Sequence, residues 1–293
     1  MSGKSCPVCR GLLLERLQSW HFACTECAYE RSSLTPTIND ETAHERVDEA
    51  GRETALRELR MSNFRTLMQV IRRYKPNGGH LLDVGCAHGW FLEAARDDFE
   101  VLGIEPDHRI FSATVARNLP VRNGYFPHAL LAAEKFDVIV FNDVLEHIPS
   151  ISEILNACHE RLNEDGYLVV NLPSSDGLFY RLSRMFLRFG YPGFFERLWQ
   201  KGLPSPHVHY FNKKNLTELL AQHRFTSVSS GRLPVLSLSG LYTRITYTGT
   251  QSRLTRMVIY CAVALSLPIL RLFPSDIIFL IVKKADGINT PVA

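Results

Sequence analysis

The sequence of 293 residues has little net charge, and its first residues lack an apolar segment. Its 33 Lys and Arg residues nearly balance 30 Asp and Glu residues, and a net charge of +3 excludes a molecule whose whole surface binds polyanions. The Met-Ser-Gly-Lys start has no apolar core of a signal peptide, so we expect a cytoplasmic protein. Seven cysteines, four of them in two close pairs, fit a reducing compartment better than a disulfide framework.

Long hydrophobic runs are also absent. The run 257–270 has fourteen uncharged residues, whereas a bilayer span needs about 20 apolar ones. We therefore expect the apolar segment 252–273 to be a helix that either lies in the plane of a membrane or packs on the domain. Segment 174–211 leaves the same two alternatives open, because 178–199 combines arginines at helical spacing with aromatic residues. It is either a membrane-surface insertion, which would place the protein at the inner face of a membrane, or a substrate lid.

Residues 80–91 contain the glycine-rich turn around which the rest of the chain is interpreted. A short apolar run ends at Asp83, and small residues follow at Gly85, Ala87 and Gly89, which predicts a buried strand, a tight turn and a helix. Glu105 ends a second apolar run twenty residues past Gly85. A carboxylate in that place can accept both hydroxyls of a ribose lying over the turn.

The same stretch resembles motif I of the class I S-adenosylmethionine-dependent methyltransferases, D-x-G-x-G-x-G, with Ala87 in place of the middle glycine. The resemblance implies S-adenosylmethionine as methyl donor. It also implies that Asp83, Gly85, Ala87 and Gly89 form the cofactor turn and that Glu105 binds the ribose. Many members have an acid after the third strand that binds adenine. Residues 123–128 contain no acid, so we expect backbone groups and Tyr125 or Phe126 to hold the adenine.

Residues 136–149, Phe-Asp-Val-Ile-Val-Phe-Asn-Asp-Val-Leu-Glu-His-Ile-Pro, resemble motif IV of the ubiquinone-biosynthesis type of methyltransferase. The resemblance implies that Asn142 and Asp143 lie beside the methionine part of the donor and that Glu146 and His147 face the substrate. A neutral imidazole is well suited to accept a proton near pH 7, so His147 is a candidate base or substrate-orienting group. A structural histidine that caps the next turn is the alternative.

A Pro-His-Val-His-Tyr-Phe-Asn stretch at 206–212 also recurs in this group, at the edge of the substrate pocket. His207 and His209 flank one residue and would point to the same side of an extended chain. They could form a metal pair. Because no carboxylate or cysteine lies nearby in the sequence, we expect them to line the pocket instead.

Four cysteines at the start of the chain have the spacing of a metal site. Cys6 and Cys9 form one C-x2-C pair, and Cys24 and Cys27 form a second one fourteen residues later. Two such turns complete the tetrahedron that zinc prefers, and four thiolates leave no position for a substrate, so we expect a structural Zn²⁺. The pattern resembles a zinc ribbon, a module found on some ribosomal-RNA and some sugar methyltransferases. His21, between the pairs, could be a substitute ligand, but we expect it to be an exposed hairpin residue.

Strands and helices alternate from residue 80 to residue 172, which predicts an α/β fold with a doubly wound sheet. The resemblance implies a seven-stranded Rossmann-like methyltransferase sheet, closed by an antiparallel strand near 276–282. We expect a zinc-ribbon-like β module over 1–35, a helical linker over 36–79 and the methyltransferase domain over 80–293. Residues 40–75 are expected to be helical, and 289–293 a loose tail.

The resemblance implies a methyltransferase, and the acceptor that we favour is a small or amphipathic metabolite such as a sugar, a lipid-linked saccharide or a quinone-like ring. One rival is an RNA methyltransferase that docks RNA on the zinc module. Segment 174–256 has twelve Lys and Arg residues against three acids, which suits that rival. The other rival is a non-catalytic scaffold with the same fold.

Overall fold

The structure, a computed structural model, describes residues 4–38, 49–247 and 252–285. The predicted helical residues 40–48 and the tail 289–293 lie outside these ranges. The strands are β1 (Lys4–Ser5), β2 (Leu12–Glu15), β3 (His21–Cys24), β4 (Glu30–Ser32), β5 (His80–Val84), β6 (Glu100–Glu105), β7 (Val121–Asn123), β8 (Phe136–Asn142), β9 (Leu162–Pro173), β10 (His209–Tyr210), β11 (Phe225–Leu233) and β12 (Ile277–Lys284). The helices are α1 (Glu49–Tyr74), α2 (Trp90–Ala95), α3 (His108–Val115), α4 (Ile151–Arg161), α5 (Leu178–Arg188), α6 (Gly193–Leu198), α7 (Lys213–Gln222), α8 (Leu241–Tyr247) and α9 (Arg253–Leu270), with a 3₁₀ turn at Leu145–His147.

Seven strands form the central sheet in the order β11-β12-β9-β8-β5-β6-β7. The five strands from β9 to β7 run parallel, and β12 is antiparallel to both of its neighbours. Strand β5 lies between β8 and β6, so the direction of winding reverses at the point where the glycine-rich turn follows β5. The predicted doubly wound, seven-stranded sheet and its antiparallel closing strand are confirmed.

Both faces of this sheet are covered, because successive side chains on a strand point to opposite sides. Leu81 packs on one face with Phe91 of α2 and Ile71 of α1. Leu82 packs on the other face with Leu155 of α4 and Leu219 of α7. Each of these side chains is at most 2% exposed, so apolar residues in the second half of α1 form one wall of the core.

The cysteine-containing module is joined to the main domain by a second sheet, with the order β1-β2-β3-β4-β10. Its last strand lies 178 residues beyond β4 and pairs with it antiparallel, Arg31 opposite His209 and Glu30 opposite Tyr210. An aromatic cluster packs between the module and α5–α6; its fully or almost fully buried members are Trp20, Tyr180, Phe195, Trp199 and Tyr210. The module is therefore built into the domain by strand pairing and by packing.

The prediction that His21 is an exposed hairpin residue is wrong. His21 is 1% exposed, and its Nε2 lies 2.6 Å from the Glu30 Oε2 atom. Its ring packs edge-on against Phe195 and Trp199, with ring centroids 5.2 and 5.3 Å away. The hairpin face that the sequence alone leaves open to water is covered by α6, which comes from a distant part of the chain.

Candidate functional site

A cavity of about 530 Å³ lies at the carboxyl ends of β5, β6 and β8. Ligands bind at this edge in open α/β sheets, where the strand order reverses. The cavity wall includes the glycine-rich turn, Glu105 and the residues that follow β8. The rest of the wall comes from outside the sheet: from the segment leaving the module (Thr35, Pro36 and Ile38), from α1 and from 200–205.

The turn after β5 has a backbone that approaches its neighbours closely. Gly85 and Gly89 have φ angles of 69° and 72°, in the left-handed region that glycine tolerates. A Cβ on Gly89 would lie 2.4 Å from the Leu119 Cδ1 atom, so a side chain cannot be added without displacing Leu119. Ala87 has a φ of 45° despite its methyl group, and its carbonyl accepts a hydrogen bond of 2.9 Å from the Thr114 hydroxyl. Gly85 and Ala87 line the cavity.

Glu105 is a carboxylate of the cavity wall that lies beside the glycine-rich turn. Its Oε2 accepts a 2.8 Å hydrogen bond from the backbone N–H of Ala87, and its Oε1 accepts one of the same length from Asp107. The side chain is 5% exposed, and burial raises its pKa to about 7. Each oxygen keeps a second lone pair, so two ribose hydroxyls could still donate to it. The sequence-predicted pairing of turn and carboxylate is thus present, bridged by a direct hydrogen bond.

Two predicted cofactor residues lie behind the turn. The Asn142 amide donates a 3.3 Å hydrogen bond to the Asp83 Oδ1 atom, and neither residue is among those lining the cavity. Asp83 is 2% exposed, and burial raises its pKa to about 8. This pair is placed to support the turn from inside the sheet.

Asp143, by contrast, lines the cavity, with a φ of 54° and its Oδ2 atom 3.8 Å from the guanidinium of Arg60. Arg60 comes from α1 and also lines the cavity. Sequence reasoning missed it, because nothing in the pattern of α1 distinguishes this arginine from others on the helix. Tyr125 and Phe126, the predicted adenine contacts, both line the cavity.

His147 lines the cavity at the end of the 3₁₀ turn. Its Nδ1 atom lies 3.0 Å from the carbonyl oxygen of Pro206. A carbonyl can only accept, so Nδ1 carries the proton and Nε2 is the basic atom of the neutral ring. This arrangement orients the imidazole and determines its tautomer.

Glu146, next to it, is 1% exposed and does not line the cavity. Burial, and then the charge of Asp143, raise its pKa well above the usual value. Neither of its carboxylate oxygens has a hydrogen-bond partner among the described residues. Glu146 therefore lies behind His147, and it does not face the cavity as the resemblance implied.

His207 and His209 are buried and are not among the cavity-lining residues, contrary to the expectation that they line the pocket. Although no carboxylate lies near them in the sequence, the fold brings one close, because the Glu146 Oε1 atom is 4.0 Å from the His207 Nε2 atom. The Val208 N–H donates a 2.8 Å hydrogen bond to the Glu146 carbonyl, and this contact brings the two segments together.

His209 connects the module to the cavity. Its Nε2 donates a 2.9 Å hydrogen bond to the carbonyl of Ile148, a cavity-lining residue, and its Nδ1 accepts one from the Tyr29 hydroxyl. Burial lowers the pKa of His209 to about 4, which keeps the ring neutral in this bridge. His209 is thus a structural residue that holds the wall of the site against the module.

The four cysteines of the module lie together, with every pair of Sγ atoms within 4.8 Å. The Sγ atoms of Cys6 and Cys27 are 3.5 Å apart, and those of Cys9 and Cys24 are 3.3 Å apart. The N–H groups of Val8 and Glu26 each lie 3.4 Å from a cysteine sulfur. This donor set has the composition and closeness that a tetrahedral Zn²⁺ ion needs.

Comparisons with known proteins agree with this geometry. A family model described as a methyltransferase domain matches residues 56–230. The mitochondrial ubiquinone biosynthesis O-methyltransferase of Bos taurus is 26% identical over 163 residues, which cover 49% of this chain and 44% of that protein. The human protein of the same name is 29% identical over the same shares of the two chains. The chain thus spans about half the length of the curated relatives it matches.

Solved structures share the fold at low identity. A S-adenosylmethionine-dependent methyltransferase of Thermotoga maritima has a TM-score of 0.54 at 14% identity, over 82% of this chain and 96% of that one. The cyclopropane synthase MmaA2 of Mycobacterium tuberculosis has a TM-score of 0.50 at 17% identity, over 85% and 89%. Since the family model covers more than half of the chain, the protein belongs to the methyltransferase domain family and is a class I S-adenosylmethionine-dependent methyltransferase with a Rossmann-like sheet.

Proposed function

We propose that this methyltransferase acts on a small or amphipathic acceptor, held in the same cavity as the methyl donor. The observation that carries the proposal is the cavity itself, which has a volume of about 530 Å³ and is lined in part by the segment leaving the module. Beyond Glu105 much of its wall is apolar, including Val144, Ile148 and Leu203. An apolar wall favours an aromatic ring or a lipid-linked group.

The donor end of the proposed site is the glycine-rich turn. Glu105 would accept the ribose hydroxyls, and the backbone at Gly85 and Ala87 would pass close to the nucleoside. Burial raises the pKa of Glu105, and two donated hydroxyl groups would favour its charged form. Tyr125 and Phe126 would contact the adenine. When bound, S-adenosylmethionine supplies a methyl group on a sulfonium sulfur. An aligned nucleophile would attack the methyl carbon, and S-adenosylhomocysteine would leave.

His147 is the proposed base at the acceptor end. The hydrogen bond from its Nδ1 to Pro206 orients the ring, and Nε2 would take the proton that the acceptor loses. The curated relatives are named for O-methylation in ubiquinone biosynthesis, and their likeness in this region supports a hydroxyl on a quinone-like ring as one acceptor. Glu146 and His207 would position His147 from behind.

Replacing His147 with alanine should lower kcat by about 100-fold or more, because proton transfer then loses its positioned base. The donor affinity, measured by calorimetry, should not change, because His147 lies outside the donor end of the proposed site. The matched control is His80→Ala, at the other end of β5, where the side chain is 57% exposed. An unchanged kcat in the His147 variant would show that the base lies elsewhere.

The module is proposed to hold one structural Zn²⁺ through Cys6, Cys9, Cys24 and Cys27. Four thiolates complete its coordination, so the ion would stabilise the fold and take no part in the chemistry. This zinc would support the segment that lines the cavity and the sheet that ends in β10.

The acceptor class is tested by incubating the full chain with methyl-labelled donor and fractionated cell extract. We expect label in the lipid or small-molecule fraction. Label confined to RNA, with binding that weakens steeply as salt rises, would overturn the proposal in favour of RNA methylation. Donor binding without label in any fraction, together with full retention of label by free donor, would indicate a scaffold.

A further inference from the structure

Helix α9 is a long apolar helix that the proposed reaction leaves unexplained. It is 18 residues long, and by length and composition alone it could cross a membrane. The helix begins four residues before the uncharged run predicted from the sequence. Only Leu267 is buried, whereas Leu254, Met257, Val258, Leu265 and Ile269 are 56–77% exposed. Helix α9 contacts α8, with the Tyr260 and Tyr242 ring centroids 6.3 Å apart, but this contact leaves most of its large apolar side chains exposed.

The charges around α9 all have one sign. Between Glu218 and Asp276 the sequence has six arginines and no Asp or Glu. Arg253 and Arg256 lie in the first turn of α9, and Arg271 follows its last residue. An exposed apolar helix with cationic ends is complementary to an anionic phospholipid surface, because it offers both apolar area and attraction to the headgroups.

The connections of α9 exclude a transmembrane orientation while the domain stays folded. Helix α8 contacts α1, with Leu241 and Ile245 buried, and only five residues separate α8 from α9. Six residues lead from α9 back to β12. At about 3.5 Å per residue, each connection reaches only about 20 Å. The hydrocarbon core is about 30 Å thick, so neither end of the helix can lie across a bilayer from the domain.

A second exposed apolar region adjoins the C-terminal end of α9. The Leu178 N–H donates a 3.0 Å hydrogen bond to the Pro274 carbonyl, and the N–H of Tyr180 donates one of 2.7 Å to the Asp276 carboxylate. The start of α5 is thereby tied to the segment after α9. Further along, α5–α6 exposes Phe189 and Phe194 by 72% and 62%. Two elements with exposed apolar side chains thus extend from one junction in the fold.

From these observations we propose that α9 is an in-plane anchor that docks the protein on an anionic phospholipid bilayer. Its exposed apolar side chains enter the boundary between headgroups and acyl chains, and its arginines contact lipid phosphates. The proposal is independent of the acceptor, since binding to lipid is measured without turnover. Its failure would leave the proposed reaction intact.

Vesicle flotation of the full chain tests the anchor. We expect the protein to float with vesicles that mix phosphatidylglycerol and phosphatidylcholine, and less with phosphatidylcholine alone. The double variant Leu254→Asp/Leu265→Asp should stay at the bottom of the gradient, while the control Leu131→Asp, also at an exposed leucine, should float. Arg253→Gln should weaken binding to the anionic vesicles about fivefold. Circular dichroism should show the same fold for every variant, because the changed side chains are exposed.

The depth of the helix is read from Cys261, an exposed cysteine near its middle. A fluorophore at Cys261 should be quenched by lipids labelled just below the headgroup. Fluorophores attached in the variants Ser252→Cys and Leu272→Cys should be quenched by the same lipids, because an in-plane helix lies at one depth. A probe at Cys261 that lies deeper than both ends would overturn the in-plane orientation. Absence of flotation would overturn the proposal. So would a dimer in vesicle-free buffer that the Leu254→Asp/Leu265→Asp variant abolishes, because the occupant of the helix face would then be a second copy.

Discussion

Replacing Glu105 with glutamine is expected to weaken S-adenosylmethionine binding by about 100-fold. A hydrogen bond from a hydroxyl to a charged carboxylate contributes about 1.5–3 kcal/mol, and the neutral amide cannot accept two ribose hydroxyls as well as two backbone N–H groups. Both backbone donors, from Ala87 and Asp107, already occupy one position on each oxygen. Calorimetry with purified donor measures the loss directly.

The matched control for this variant is Glu100→Gln on the same strand. Glu100 lies at the opposite end of β6 with a side chain that is 77% exposed, so its loss should leave the donor affinity unchanged. A Glu105→Gln protein that folds and binds the donor as tightly as the parent would refute the ribose assignment. It would also leave the glycine-rich turn without its partner in cofactor recognition.

The affinity for the donor should also depend on pH. Because burial raises the pKa of Glu105 to about 7, the side chain is largely protonated in the ligand-free protein below that pH. Donor binding favours the ionised form, so the affinity should fall as pH is lowered from about 8 to about 6. The stability of the ligand-free fold should change with pH in the opposite direction. Because the pKa of Glu105 is higher in the folded than in the unfolded chain, the contribution of Glu105 to the free energy of unfolding is lost as pH rises through about 7. The Glu105→Gln variant should lose both dependences.

Loss of the proposed zinc ion is also expected to lower both the melting temperature and the donor affinity strongly. The variant Cys24→Ser should purify without zinc, melt at a lower temperature than the parent and lose most of its donor affinity. Structural zinc in small modules commonly provides the free energy that keeps them folded. Here the module carries Thr35, Pro36 and Ile38 to the cavity wall, so its unfolding would open the site.

Several contacts transmit the loss of the module to the domain. The Asn215 amide donates a 3.2 Å hydrogen bond to the Cys27 carbonyl, and the Tyr29 hydroxyl donates to His209. Elemental analysis measures the zinc content, thermal melting measures the stability, and calorimetry measures the donor affinity. Cys261→Ser, at an exposed cysteine outside the cluster, is the control and should behave as the parent. A Cys24→Ser protein that keeps one zinc per chain or melts with the parent would contradict the structural role.

The parts of the candidate site whose positions can be predicted are those that a short stretch of sequence encodes. The turn from Gly85 to Gly89 follows directly from the residues that permit its backbone, and Glu105 follows from the end of the neighbouring strand. Parallel strands bring their carboxyl ends to one edge, so two local patterns suffice to place these residues together. The same reasoning explains why the cysteine pairs were recognised without any structure.

The remaining walls come from contacts between segments that are far apart in the sequence. His21 was expected at the surface because the hairpin sequence does not reveal α6, which covers it. His207 and His209 were expected in the pocket because their alternation could not show that the segment pairs with β4. Arg60 and the segment 35–38 reach the cavity only through the packing of α1 and the module. These placements depend on tertiary structure, and no local pattern encodes them.

The shared sheet also has a consequence for how the protein is made. Residues near Arg31 leave the ribosome well before their strand partners near His209, which follow 178 positions later. At roughly 5–20 residues per second, synthesis of that stretch takes roughly 10–35 s. During this interval the nascent chain carries an open strand edge, a place where a neighbouring unfinished copy on the same messenger could pair. The cysteine-containing module is thus translated before the central sheet, but its own sheet is completed only after most of that central sheet has been made.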